Sequence, residues 1–88
     1  MDKNVVRDYV GRLEEVLRDE EAFPALVHSI EHDPLVRQPE IVAIASEFYG
    51  PTPQGASKKE CIRRIMSRHR SLMDYRAKAK AQAGKSAA

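Results

Sequence analysis

The sequence predicts an all-α fold, a small four-helix domain with a possible extra helical turn, on three observations. Apolar residues recur at helical spacing in four separate segments. No segment shows the two-residue alternation that would mark a strand, and acidic, proline or glycine residues punctuate the gaps.

The first segment runs from about Asn4 to Arg18, where Val6, Tyr9, Val10, Leu13, Val16 and Leu17 form one stripe. Gly11 interrupts it, at up to ~1 kcal/mol relative to alanine, either for a close helix crossing or on the wet side. Asp19, Glu20 and Glu21 separate this helix from a second stripe, Phe23, Leu26, Val27 and Ile30. Pro24 suits the first position of that helix, where its missing amide would have had no partner, and Asp33-Pro34 ends it. Leu35 to Gln38 reads as a turn or a single helical turn. Pro39 then opens a third helix, with Glu40 placed against its positive end and Ile41, Ile44, Ala45 and Phe48 as its stripe. Gly50-Pro51 stops it, because glycine can take the capping conformation and proline cannot continue a helix.

The loop from Pro51 to Ala56 is expected to be extended and ordered, since two prolines within three residues restrict the backbone. Ser57 and Glu60 then form an S-x-x-E capping box, in which the serine hydroxyl takes a helical amide and the glutamate reaches back to the serine amide. Cys61, Ile62, Ile65, Met66, His69, Leu72 and Met73 follow at helical spacing. Beyond Tyr75 the Ala/Lys sequence has helix propensity but no apolar stripe, so fraying is expected there and disorder from Gly84 to Ala88. The organisation predicted is one helical domain over 1–76, with an acidic hairpin at 1–38 and a helix-loop-helix at 39–76, followed by a basic frayed or disordered tail at 77–88.

At 88 residues the chain can bury about 60% of its unfolded surface, enough for one modest core and no deep substrate cavity. With 32% charged residues and no run of ~18 apolar ones, it is not expected to enter a membrane. Residues 1–7 lack the basic head and apolar run of a signal peptide, and the single cysteine, Cys61, provides neither an internal disulfide nor a thiolate zinc site. A cytoplasmic location is the expectation.

The net charge of +2 hides a division. Residues 1–56 carry five basic and eleven acidic side chains, −6, whereas residues 57–88 carry ten basic and two acidic, +8. Such asymmetry points to nucleic acid, an acidic partner or a membrane surface, with attraction between the two halves of the fold as the lesser alternative.

Catalytic arrangements do not assemble. Ser57, His69 and Asp74 are triad residue types, but on one helix Ser57 and His69 stand about 18 Å apart. His28 and His32 lie one turn apart, a spacing that can share a metal. Without a third ligand at recognisable spacing they read as a solvent-facing pair. Cys61 lies on the apolar stripe and reads as a buried structural thiol. No cofactor, metal or small-molecule substrate is expected, and the protein is not expected to be an enzyme.

The fourth helix carries the functional expectation. At 100° per residue, Lys59, Arg63 and Arg70 fall along one flank of its apolar stripe, and Arg64, Arg68 and Tyr75 along the other. Two rows of cations suit phosphates, and Arg68 and Tyr75 offer stacking surfaces. The turn Gly55-Ala56-Ser57-Lys58-Lys59 adds helix-start amides beside two lysines, an anion-binding arrangement.

Residues 39–68, with Ile41, Ile44, Ala45 and Phe48, then Gly50, then Gly55, Ser57, Lys58 and Lys59, then Ile62 and Ile65, resemble the helix-extended-loop-helix modules of the SAP and Rho N-terminal type. The resemblance implies DNA or RNA backbone contact through Gly55, Lys58, Lys59 and Arg63. The loop with Pro51 and Pro53 is longer than the usual turn of those modules, and the acidic first half has no counterpart in them. The expected function is non-catalytic nucleic-acid binding through Gly55, Ser57, Lys58, Lys59, Arg63, Arg64, Arg68, Arg70 and Tyr75. The alternative is a small protein-protein adaptor that binds no nucleic acid.

Overall fold

A computed structural model describes residues 1–86, with side chains through Gln82. Four helices follow one another, α1 (Lys3–Val16), α2 (Ala22–His32), α3 (Gln38–Phe48) and α4 (Lys58–Ser86), and among the described residues there is no strand. The protein is an all-α four-helix domain. α1 packs on α2 and α3, and α4 packs on the same two helices from the other side.

One core joins all four helices. Leu13, Phe23, Ile30, Ile41, Ile44, Cys61 and Ile65 have no exposed surface, and every residue of the α2 and α3 stripes is buried. Phe23 lies at the meeting point, its ring stacked on His69 of α4 at 4.3 Å and tilted against Phe48 of α3 at 5.8 Å. Val36, in the α2–α3 turn, is a core residue that no periodicity marked, whereas its neighbour Leu35 is exposed. Residues 34–35 form a turn and not a helical turn. Gly11 faces solvent, and a Cβ there would meet nothing within 4 Å, so the glycine serves no close crossing.

The helix ends depart from the sequence reading in instructive ways. Asp2 caps α1 by accepting the amides of Asn4 and Val5 at 3.0 and 3.2 Å. α2 begins at Ala22, two residues before Pro24, because the Asp19 carboxylate accepts the amides of Glu21 and Ala22. Glu40 is not a surface charge at the start of α3 but is fully buried. It accepts the amide of Asp2 at 2.8 Å and that of Arg37 at 3.2 Å, locking the chain's beginning to α3. Gly50 ends α3 with φ 151°, a backbone conformation that side chains rarely adopt.

Only half of the predicted capping box forms at α4. The Ser57 hydroxyl accepts the Glu60 amide at 3.1 Å, but the Glu60 carboxylate turns to Arg63 instead of the serine amide. The Ala/Lys stretch expected to fray continues as helix through Ser86; the last two residues of the predicted disordered tail lie outside the described residues. Alanine, lysine, arginine and glutamine favour helix, and the packed part of α4 has already met the cost of nucleation. All residues from Asp74 to Gln82 are exposed, so this end of α4 extends as an arm along the molecule's 54 Å long axis.

Candidate nucleic-acid interface

The structure gives the two flanks of cations on α4 different roles, which the sequence reading treated alike. Those facing the globule donate to backbone carbonyls of the loops and helix ends beside α4. Lys58 Nζ reaches Val36 O at 3.3 Å, Arg64 Nη1 reaches Pro51 O at 3.1 Å, and Arg68 Nη1 reaches Phe48 O at 2.9 Å. Farther along, His69 Nδ1 lies 2.7 Å from Leu17 O, and Arg76 Nη1 reaches Arg18 O at 3.1 Å. A carbonyl only accepts, so His69 carries its proton on Nδ1 in this bond. The last carbonyls of a helix have no partner within it, and neither α1 nor α3 has a basic residue in its last turn. α4 thus caps the ends of α1 and α3 from a distance in sequence, through His69 and Arg68.

Arg68 is the most engaged of them. Its guanidinium forms a two-pronged ion pair with Glu14 of α1 and lies over the Phe48 ring at 4.4 Å from the ring centre. Arg64 lies against Tyr49, and its side chain is 23% exposed. Its Nε stands 3.5 Å from the Glu60 carboxylate but makes no hydrogen bond. Arg64 and Arg68 therefore hold the fold together and do not form the free flank expected of them, and Lys58, expected in the anion-binding turn, is bound to Val36 O instead.

The second group stands in water. Lys59, Arg63 and Arg70 are exposed and share the face of α4 opposite Cys61 and Ile65. Lys78 and Lys80 extend the charge along the arm. From Lys59 to Arg70 the row covers about 17 Å. Arg63 binds Glu60 through two hydrogen bonds of 2.7 and 2.6 Å, which holds the Glu60 carboxyl down at about 2 and raises the Arg63 guanidinium above its ordinary value. Tyr75 is 70% exposed and lies beside Arg18, Leu72 and Arg76. Gly55 and Ser57 are exposed at the turn, which is tied to α3 where the Gln38 side-chain amide donates to Gln54 O and Ala56 O.

Several other polar groups serve the fold. Cys61 is fully buried, and that burial pushes its thiol up. The Tyr9 hydroxyl donates to Asp33; burial first and then this bond raise the phenol, and the same bond lowers the Asp33 carboxyl. Asp19 is lowered by the Ala22 and Glu21 amides, and Glu40 chiefly by the Asp2 amide.

These four carboxylates, Asp19, Asp33, Glu40 and Glu60, bind protons less readily folded than unfolded. The unfolded chain takes up more protons as pH falls through their ordinary values of 3.8 and 4.5, so folding loses stability over that range and down to about 2. Thermal unfolding followed by circular dichroism should show a midpoint that holds from pH 7 to about 5 and declines below about 4.5. A midpoint unchanged down to about pH 2.5 would contradict this accounting.

The fold and the two cation groups define a small helical domain bearing a projecting basic helix. The chain matches no protein-family model, no curated protein and no solved structure. Among the described residues, no helix is long and apolar enough to cross a membrane.

Proposed function

We propose that this protein binds the phosphate backbone of nucleic acid, without catalysis, along the outward row of α4. Lys59, Arg63 and Arg70 form the row, Lys78 and Lys80 add charge on the exposed arm beyond it, and Tyr75 offers a stacking face on the other flank of the helix. The exposed turn at Gly55 and Ser57 sets the near end. Lys58, Arg64 and Arg68, bound to carbonyls and to Glu14, are left out of the contact set. One observation carries this reading: α4 continues as helix past the globule and presents exposed cations, Lys59, Arg63 and Arg70 on one face and Lys78 and Lys80 on the arm beyond it. The likeness of residues 39–68 to helix-extended-loop-helix modules agrees with it. No side chain is assigned to a base edge, so the proposed contact is with backbone and not sequence. The cytoplasm, where nucleic acid is accessible, is the compartment this role implies.

A salt titration tests the proposal. Binding by four or five cations should weaken by about 10²–10³-fold between 50 and 200 mM salt, because each neutralised phosphate releases counterions. Fluorescence anisotropy with a short duplex, a single-stranded DNA and an RNA hairpin reads this directly. No binding to any of the three at 50 mM salt would overturn the proposal and favour the adaptor reading, whose apolar contact with a protein responds little to salt.

A further inference from the structure

The exposed face of α2 carries a second pair of residues whose geometry suits a ligand. His28 and His32 are one helical turn apart, both exposed, with ring centres 4.3 Å from each other and planes inclined by 57°. We propose that these two imidazoles form a chelate for a divalent late first-row metal of tetragonal preference, Cu²⁺ first.

The argument is geometric. With metal–nitrogen bonds of about 2.0–2.1 Å, the ion sits about 3.2 Å from each ring centre. Two imidazoles at a right angle about the metal then have centres about 4.5 Å apart, and at a tetrahedral angle about 5.2 Å. The observed 4.3 Å matches the right-angle arrangement of Cu²⁺ or Ni²⁺ more closely than the tetrahedral one of Zn²⁺. The inclination matters as well. Face-to-face rings would keep their in-plane lone pairs parallel, whereas inclined rings let them converge on one point.

Helix α2 is held by its buried face, Phe23, Leu26, Val27 and Ile30, so the backbone positions of the two ligands are fixed one turn apart before any metal arrives. His32 occupies the last turn of α2, where the negative end of the helix favours a cation. Among the described residues no cluster of three or more His, Cys, Asp or Glu is placed to hold a metal. The chelate is therefore two-coordinate from the protein, with water in the remaining positions. Cu²⁺ heads the affinity order for nitrogen ligands, so both geometry and intrinsic affinity select it.

The test is a Cu²⁺ titration of the whole chain, followed by electron paramagnetic resonance and by the thermal midpoint, beside His28→Gln and His32→Gln. Both positions are exposed, so the variants keep the fold, as circular dichroism verifies. One Cu²⁺ per chain with coupling to two imidazole nitrogens, a raised midpoint, and affinity at least tenfold weaker in each variant is the expected result. Affinity unchanged in either variant, a one-nitrogen signal, or uptake fully retained when both histidines are replaced, as from the Met1 amine, would overturn it. Zn²⁺ bound as tightly as Cu²⁺ would overturn the right-angle geometry.

Discussion

Replacing Phe23 with alanine is expected to remove about 3–5 kcal/mol of folding stability, the range for deleting a large buried ring. Phe23 has no exposed surface and, among the described residues, is the one aromatic side chain that touches aromatic rings from both α3 and α4. Its loss leaves a cavity whose other walls, Phe48 and His69, are fixed. Phe48 is the last residue of α3 and its carbonyl accepts from Arg68, and His69 is held by its bond to Leu17 O. A domain of this length has about 4–13 kcal/mol in total, so the variant approaches the limit of stable folding. At about 4–8 °C per kcal/mol, the thermal midpoint should fall by about 12–40 °C. Phe23→Leu keeps most of the apolar volume and should lose far less. Urea denaturation of both variants separates the outcomes, and a loss under about 1 kcal/mol for the alanine variant would show that Phe23 is not the centre of the core.

The same residue shows what could be read without coordinates. The stripe that contains Phe23 follows from spacing alone, and every member of the α2 and α3 stripes is buried. Helix existence and order were legible because apolar periodicity is a local property of the chain. Partners distant in sequence were not. Nothing near Glu40 announces that the amide of Asp2 will meet it, and nothing near Arg68 announces Glu14, 54 positions away. The α4 cations looked alike in sequence because helical angle divides them only into flanks. What sorts them is which flank meets the open carbonyls of α1 and α3, and that depends on how the helices pack. Val36 was missed for a related reason: a single apolar residue in a turn has no period to reveal it.

That division of cations yields the second large effect, on binding. Reversing the outward row in Lys59→Glu, Arg70→Glu and Lys78→Glu combined should leave the thermal midpoint within a few degrees, since all three side chains are exposed and far from the core. The same triple change removes three phosphate contacts and introduces three repulsions. Affinity for nucleic acid at 50 mM salt should drop by at least ~10²-fold, and the dependence on salt should flatten by about three units of slope. Arg68→Ala is the counterpart. It strips Glu14 of its partner and Phe48 O of a donor, so stability should decline by about 1.5–3 kcal/mol, the range for hydrogen bonds to charged groups. Because its guanidinium is 36% exposed, the lower end of that range is the better expectation. The folded Arg68→Ala protein should still bind with nearly full affinity. Should Arg68→Ala abolish binding while the triple reversal spares it, the contact surface would lie on the inner flank of α4, and the outward row would be no more than a solvated face.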